Sequence, residues 1–237
     1  AFSIFPTLII QQNSSIYTSD LSATNLTSAE SIEMFEFWTD FYNEYKFPVT
    51  VDFFNRFRIG VMPIGIQTYT QYINLSMAAP EINGKWAMAP IPGFEDENGN
   101  INNSQAGAGT GCGILNVSQN KTGGWEFIKW WTSAETQLEY SNNCESILGV
   151  SGRIATSNVE AFKQMGWDTE SLNALLDQWS KVKEVPEVPG GYYTARVIDQ
   201  AYWNVVNNKK NSKDTIIEWA EVANNEIRRK REQYNVQ

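Results

Sequence analysis

Residues 54–72, FNRFRIGVMPIGIQTYTQY, contain the pattern on which the prediction of the fold depends. The first part predicts a short helical turn that Gly60 closes, and VMPIGI (61–66) predicts a compact apolar strand. A second helix is predicted from about Gln67 to Met77. Short strands between helices recur along the chain, and this order indicates a helix-rich α/β protein rather than an all-α one.

The end of the predicted strand brings Gln67, Thr68 and Tyr69 to the start of a helix. The first amides of a helix lack partners, and an aromatic ring beside them can lie against the C–H face of a polyol while polar groups bind its hydroxyls. These three residues are therefore candidate solute-binding residues. The same pattern fits Tyr69 and Tyr72 packing on a neighbouring helix equally well, and the sequence leaves both interpretations open.

A second segment with comparable features is PGGYYTARVIDQAYW, residues 189–203. Tyr192 and Arg196 lie at positions i and i+4 of the predicted helix, so they share one face. On that face the tyrosine can stack on a sugar ring and the arginine can donate hydrogen bonds to hydroxyls or a carboxylate. Tyr193 lies closer to the apolar line of the helix and is expected to face the core. The alternative for Arg196 is an ion pair with a nearby carboxylate on the surface.

Capping patterns predict where several other helices begin. Thr27-Ser-Ala-Glu30 and Ser157-Asn-Val-Glu160 have the form of capping boxes. Asn120 is predicted to cap a tryptophan-rich helix that is interrupted near Thr132-Ser133. A long helix is predicted from about Ser212 to the end of the chain, and its buried stripe consists of Ile216, Ala220, Ala223 and Ile227.

Two further strands are predicted around a polar segment. GKWAMAPIPGF (84–94) predicts a strand that continues into a proline-rich loop, and AGAGTGCGILNV (106–117) predicts a strand of small residues. The segment between them, 95–105, is rich in glycine and asparagine and is predicted to be a surface loop. The glycines of 106–117 are not followed by the Lys-Ser/Thr ending of a phosphate-binding loop.

The charge of the chain argues against nucleic acid as a partner. The 237-residue chain has a formal net charge of −9 and a pI near 4.7. Its one basic run, Arg228–Arg231, is expected to be a solvated helix face with favourable charge at a helix C-terminus. No stretch is long and apolar enough for a membrane span. The chain opens with AFSIF, inside a predicted helix, so we expect it to be a piece of a longer protein whose targeting signal lies upstream.

Histidine and cysteine, two residue types common in catalytic and metal sites, are absent or few, whereas acidic residues are plentiful. The chain has no histidine, which excludes histidine-based triads and histidine metal ligands. Cys112 and Cys144 cannot form a zinc site by themselves, and the sequence leaves open whether they are paired or free. Acidic residues at helical spacing are typical of a solvated helix face rather than of a catalytic pair. No catalytic residue, metal site or cofactor is therefore predicted.

Five motifs in a fixed order resemble a known family. They are FNRFRIGVMPIGI (54–66), GKWAMAPIPG (84–93), the small-residue strand from 106, SQNKTGGWEFIKWWTS (118–133) and GYYTAR (191–196). Together they resemble the carboxyl-terminal portion of extracellular solute-binding proteins of ABC transporters, in the sugar-type, maltose-binding-protein-like group. The resemblance covers nearly the whole chain, and its ending is similar to a subgroup found in Gram-positive bacteria.

The resemblance implies a periplasmic-binding-protein-like type II fold, α/β and two-lobed, of which this chain is mainly the second lobe. Residues 1–104 would form the first part of the second lobe. Residues 105–148 would be a strand and a helix that belong to the first lobe, and 149–237 would complete the second lobe with the C-terminal helices. Most of the first lobe would then be missing, so the chain is expected to bind sugar weakly or not at all.

The family resemblance also implies a function and a site. The chain would be the substrate-binding component of an ABC importer, a monomer that binds a carbohydrate or similar polar solute between its lobes and delivers it to a membrane permease. It would lie outside the cell, attached to the surface through an upstream lipid anchor. The site residues would be Gln67, Thr68, Tyr69, Tyr192 and Arg196.

Two other classes of function stay open at this point. A glycosidase-like enzyme would require two acidic residues facing one cleft. A protein-interaction module would use exposed tryptophans, and the candidates are Trp125, Trp130 and Trp131. Their helix would normally pack on the first lobe, so these tryptophans are expected to be partly exposed in this chain; finding them buried in the core would argue against the module.

Overall fold

The computed structural model describes residues 4–107 and 109–236 of the chain. These residues form two compact units, each assembled from separated parts of the chain. Unit 1 contains the described residues of 1–51, 91–108 and 178–237, and unit 2 contains those of 52–90 and 109–177. Helices dominate and strands are few and short in the described ranges, as the sequence predicts.

Ten α-helices and four short strands occur within the described ranges. The α-helices are α1 (Ile4–Gln11), α2 (Ala29–Asn43), α3 (Phe53–Arg58), α4 (Thr70–Ala78), α5 (Lys121–Trp131), α6 (Ala134–Leu148), α7 (Val159–Phe162), α8 (Thr169–Trp179), α9 (Tyr192–Val206) and α10 (Ser212–Tyr234). The strands are β1 (Phe94–Glu95), β2 (Ile101–Asn102), β3 (Gln105–Gly107) and β4 (Val182–Glu184). Short 3-10 helices span Pro80–Ile82 and Gly149–Gly152.

The core of unit 1 is built around stacked aromatic rings from α1, α2 and α9. The ring of Trp38 lies between those of Phe5 and Tyr202, with centroid distances of 5.7 and 4.4 Å and interplanar angles of 17° and 21°. Phe35 meets Trp38 edge-to-face at 6.0 Å. All four residues are buried, so large apolar surfaces from three separate helices are removed from water at one place.

The terminal helix α10 packs on α9 and α2 as its apolar stripe predicts. The prediction is confirmed for every member of the stripe, because each is fully buried: Ile216, Ala220, Ala223 and Ile227. Polar contacts join the same helix to the loop before α2, since Asn224 Oδ1 accepts from the amide of Thr24 at 2.7 Å and from its hydroxyl at 2.9 Å. Both ends of the chain therefore contribute to unit 1.

Two small sheets complete unit 1. β1 pairs antiparallel with β2, and β3 pairs in parallel with β4, with Gln105 opposite Val182. Gln11 of α1 is buried, and its Nε2 donates to the main-chain oxygens of Pro92 at 3.0 Å and Ser104 at 3.1 Å. These bonds attach α1 to the chain on both sides of the β1–β2 hairpin, where the sequence predicted only a surface loop.

The predicted strands are mostly wrong. Residues 61–66, all of which the structure describes, form no strand, and Val61, Ile64 and Ile66 are exposed. In 84–94 only the last residue begins a strand, and in the described residues of 106–117 only the first two belong to one. Apolar or small residues favour a strand only where a neighbouring strand pairs with them, and the local pattern does not contain that information.

Two of the predicted capping boxes are displaced by one residue. The cap of α2 is Ser28, whose side chain accepts from the amide of Ser31, and that of α7 is Asn158. The capping-box patterns predict these helix starts one residue earlier, at Thr27 and Ser157. The side chain of Asn120 caps α5 as predicted, and the interruption before α6 lies at the predicted place.

Unit 2 contains a buried ion pair between α6 and the segment that follows it. The Arg153 guanidinium donates to both carboxylate oxygens of Glu145, at 2.6 and 3.1 Å, and lies 4.8 Å from the ring centroid of Trp167. The arginine side chain is almost completely buried. None of the described helices in either unit combines the length and apolarity needed to cross a membrane.

Candidate functional site

Gln67 and Thr68 lie before α4 rather than on it. The helix begins at Thr70, three residues later than predicted, and Tyr69 stands at the N-cap without a capping hydrogen bond from its side chain. Both Gln67 and Thr68 are exposed, and the hydroxyl of Thr68 lies 2.7 Å from that of Thr70. Their polar groups are therefore accessible to a solute, but the residues precede the helix start instead of forming it.

Tyr69 packs within unit 2. Its ring meets those of Phe162 and Trp167 edge-to-face, both at 6.1 Å. Phe162 is fully buried, and burial raises the pKa of the Tyr69 hydroxyl above its usual value. Of the two interpretations that the sequence left open, the packing interpretation describes the ring of Tyr69 in this structure.

Tyr72 joins the same aromatic cluster. Its ring centroid lies 5.1 Å from that of Trp167 and 5.5 Å from that of Trp86. Its hydroxyl donates to Oδ2 of Asp168 at 3.0 Å, and the pKa of Tyr72 is raised by desolvation first and by this carboxylate second. The cluster therefore combines aromatic faces with one carboxylate, which are group types that sugar sites also use.

Trp167 and Asp168 also belong to this cluster, and they were not among the site residues expected from the sequence. The indole Nε1 of Trp167 is buried without a hydrogen-bond partner in the described residues. Asp168 Oδ1 accepts from the amide of Ser171 at 2.8 Å, and this bond is the main cause that lowers the pKa of the carboxyl. An aspartate three residues before a serine at a helix start is a capping signal, so the position of Asp168 was accessible from sequence.

Tyr192 and Arg196 lie on α9 in unit 1 and are both exposed, as a ligand-facing role requires. The ring of Tyr192 is 55% exposed, while its hydroxyl donates to Oε1 of Glu226 on α10 at 2.5 Å. Arg196 has no hydrogen bond or ion pair with any described residue, so the surface ion pair that was the alternative to a ligand-facing role is not formed. The N–H donors of this guanidinium are thus available to a ligand at the surface of α9.

Tyr192 and Tyr193 differ less in exposure than their predicted roles, one facing a ligand and the other facing the core, would require. Tyr193 is half-buried, meets Tyr192 edge-to-face at 6.1 Å, and lies outside the core cluster of unit 1. The side chains of α9 that are buried in unit 1 begin with Thr194, Val197 and Ile198. Tyr193 is therefore partly covered, as a side chain directed toward the core would be, but it is not a member of the core cluster.

The five predicted site residues divide between the two units. Gln67, Thr68 and Tyr69 belong to unit 2, and Tyr192 and Arg196 belong to unit 1. Within each unit the structure fixes the surroundings of every one of these side chains. That all five line one cleft stays a prediction.

The tryptophan-rich helix α5 has no buried residue. Trp125 and Trp130 are 55% and 56% exposed, and Phe127 between them is similarly exposed. Trp131 is half-buried and packs edge-to-face on Tyr140 of α6 at 5.3 Å. A helix with this many exposed aromatic rings presents an apolar surface of the kind that usually contacts another protein surface.

Neither cysteine is paired and no metal-binding group is found in the described ranges. Cys112 is exposed and Cys144 is half-buried, and both are free thiols. Among the described residues no three acidic or cysteine side chains are arranged to hold a metal ion. On α10, Arg229 pairs with Glu226 and Arg231 donates to the main-chain oxygen of Leu21. The basic run thus lies on a solvated helix face.

Comparison with known proteins identifies sequence and fold relatives. The sequence model of a family described as bacterial extracellular solute-binding protein matches residues 2–158. No curated protein matches the sequence. The similarity to solved structures is at low sequence identity and therefore concerns the fold.

Three solved structures are similar over almost the whole chain. The sugar-binding protein MalE from the phytopathogen Xanthomonas citri has a TM-score of 0.74 and 18% identity, over 100% of this chain and 58% of that one. An ABC transporter solute-binding protein from Thermotoga lettingae, bound with α-D-tagatose, has a TM-score of 0.68 and 15% identity, over 95% of this chain and 56% of that one. Maltose-bound MalE3 of T. maritima has a TM-score of 0.59 and 18% identity, over 93% of this chain and 56% of that one. The chain thus spans less than two thirds of the length of each of them.

Proposed function

Because the chain belongs to the family of bacterial extracellular solute-binding proteins, we propose that it is part of the substrate-binding component of an ABC importer. The family match over residues 2–158 is the observation that carries the proposal, and the fold likeness to sugar-binding proteins supports it. The component would bind its solute without catalysis and present it to a membrane permease. Turnover of an aryl glycoside by the complete gene product would contradict the non-enzymatic part.

A carbohydrate is the solute class that we propose. The relatives in fold are named as sugar-binding proteins or were solved with maltose or tagatose. The exposed ring of Tyr192 and the unoccupied guanidinium of Arg196 offer a stacking face and fork-like donors within one turn of α9. Gln67 and Thr68 would add polar groups, and Tyr69 would pack at the edge of the same site.

The proposed lobes and location follow from the family. Residues 1–104 and 149–237 would belong to the second lobe, and 105–148 would belong to the first. The exposed aromatic surface of α5 supports this assignment, because a helix that packs on another lobe exposes that surface when the lobe is absent. The protein would act as a monomer outside the cell, held at the surface by a lipid anchor upstream of this chain.

Sugar binding is expected to stabilise the complete gene product against heat. A solute at about 100 times its dissociation constant adds roughly 2.7 kcal/mol to the free energy of unfolding when it binds only the folded state. A thermal-shift screen against mono- and oligosaccharides, with maltose and tagatose among them, measures this effect. An amino-acid and short-peptide panel is the control, and a response to that panel alone would contradict the carbohydrate assignment.

The 237-residue chain alone is expected to bind the same sugar much more weakly than the complete gene product. A site formed by two lobes loses one set of contacts when one lobe is missing. Some hydroxyls of the sugar then stay hydrated instead of bonding to protein. Isothermal titration calorimetry of both proteins with the sugar identified in the screen gives the comparison. Equal dissociation constants, or nanomolar binding by the chain alone, would show that the proposed division into lobes is wrong.

A protein-interaction role is the second candidate, and the exposure of Trp125 and Trp130 favours it. Replacement of both residues by serine separates the two roles. In an interaction module the double variant loses its partner, whereas in the proposed protein it weakens contact with the remainder of the same polypeptide. Limited proteolysis of the complete gene product, with and without the two substitutions, distinguishes these outcomes.

A further inference from the structure

The hydroxyl of Tyr192 belongs to a three-residue hydrogen-bond group between α9 and α10. It donates to Oε1 of Glu226 at 2.5 Å, and Arg229 donates to the same carboxylate through Nη2 to Oε1 at 2.7 Å and Nε to Oε2 at 2.8 Å. The Glu226 side chain is only 16% exposed, although the guanidinium that covers it and the ring of Tyr192 are both largely exposed. The Glu226 carboxylate therefore holds the hydroxyl end of the Tyr192 ring, while the face of the ring is exposed to solvent.

The main chain at the start of α9 is held close to the same point of α10. Gly190 has φ +85°, and a Cβ added there would lie 2.9 Å from Cα of Ile227 and 3.0 Å from the carbonyl oxygen of Glu226. Ile227 is fully buried. Both the backbone before Tyr192 and the hydroxyl of Tyr192 thus contact one turn of α10, which leaves the ring little freedom to change its direction.

The protonation states in this group decide what the hydroxyl can offer to a ligand. The pKa of Glu226 is lowered to about 2, first because Arg229 donates to it and then because Tyr192 does, so the carboxylate is ionised at neutral pH. An ionised carboxylate has no proton to donate, so the phenol must supply the hydrogen of the bond. The phenol oxygen then has no free O–H. Arg229 also hydrogen-bonds this oxygen, and the lone pair that remains makes it an acceptor toward a solute hydroxyl.

We infer that Glu226 and Arg229 are positioning residues for Tyr192: they fix its ring as a stacking surface and make its hydroxyl an acceptor for a sugar hydroxyl. This inference rests on the proposed function and deepens it. Neither Glu226 nor Arg229 is expected to touch the sugar, so both would act only through Tyr192. A rigid, charge-assisted bond lowers the ordering cost that an exposed side chain would otherwise incur on binding. Sugars with an apolar face of C–H groups and a neighbouring hydroxyl that can donate are the class that such a group suits.

A double-mutant cycle on the complete gene product tests the inference. The affinity for maltose, or for tagatose if it binds more tightly, is measured by calorimetry in the wild type and in Glu226→Ala, Tyr192→Phe and the double variant. We expect Glu226→Ala to weaken binding about 5- to 10-fold, within the usual net worth of one intramolecular hydrogen bond. In the Tyr192→Phe background the same replacement is expected to change affinity less than about 2-fold, because the bond it removes is already absent.

Two further variants serve as controls. Glu226→Gln keeps an acceptor oxygen for the phenol and is expected to restore much of the affinity that Glu226→Ala loses. Glu221→Ala removes an exposed acid of the same helix, without hydrogen bond or ion pair among the described residues, and is expected to leave affinity unchanged. The ¹³Cζ resonance of Tyr192, which senses the hydrogen bond directly, should shift in Glu226→Ala and not in Glu221→Ala.

The outcomes distinguish the positioning role of Glu226 from the proposed sugar-binding function. An equal loss of affinity from Glu226→Ala in both backgrounds would assign Glu226 a structural role and overturn the inference, while sugar binding by the wild type would leave the proposed function standing. No loss in the wild-type background would overturn the inference in the same way. Absence of sugar binding by the wild type would refute the proposed function and this inference together.

Discussion

Replacement of Trp38 by alanine is expected to lower the free energy of unfolding of unit 1 by about 3–5 kcal/mol, the range measured for large aromatic residues in protein cores. The indole is 2% exposed and stacks on both Phe5 and Tyr202. Its removal loses the burial of one large side chain, two stacked pairs and the filling of the space between α1 and α9. Small neighbouring shifts cannot close a hole of this size.

Denaturant unfolding followed by far-ultraviolet circular dichroism measures this loss without depending on tryptophan emission. Trp203→Ala is the matched control, because this tryptophan lies on α9 in the same unit, is 39% exposed and contacts Tyr202 only edge-to-face. It is expected to cost less than about 2 kcal/mol. Equal losses from the two variants would mean that the stacked rings are not the centre of the core.

Replacement of Gly190 by alanine is expected to cost about 2–5 kcal/mol, the sum of about 1–2 for a left-handed backbone with a side chain and about 1–3 for forced overlap in a packed region. The residue has φ +85°, and the new Cβ would lie 2.9 Å from Cα of Ile227. That contact is with main chain of α10, which cannot rotate away as a side chain would. The helices α9 and α10 would have to separate.

Gly99→Ala is the control that isolates the backbone contribution. Gly99 also lies in unit 1 with φ +81°, but the nearest atom to its added Cβ is a side-chain oxygen of Glu95 at 3.6 Å, an ordinary contact. Only the cost of about 1–2 kcal/mol for the left-handed conformation is expected there. If thermal or denaturant unfolding gave the same loss for both variants, close packing at Gly190 would have no part in stability.

The helical part of the fold was accessible from sequence because its signals are local. The stripe that ends at Ile227 repeats with the helical period, and the cap at Asn120 needs only residues a few positions away. The one-residue errors at Thr27 and Ser157 have a simple cause. In each case the following residue, Ser28 or Asn158, is an equally good cap, so the local sequence does not choose between them.

The strands and the site depended on information that lies far away in the chain. Residues 61–66 are apolar enough for a strand, yet no partner strand pairs with them, and Ile64 is exposed. The sequence correctly placed Tyr192 on an exposed face of α9. It contained no sign that the hydroxyl bonds to Glu226, which follows 34 residues later on another helix. A local pattern cannot reveal such a partner.

The composition of unit 1 from both ends of the chain determines the order in which it can form. Phe5 of α1 is fully buried against α2, and α9 and α10 supply other walls of the same core. During synthesis, α1 and α2 emerge from the ribosome long before residues 192–234, so their apolar faces have no complete core to join. Closing contacts across most of the chain is entropically costly and therefore slow. The apolar faces of α1 and α2 are therefore exposed for longer during synthesis than those of α9 and α10.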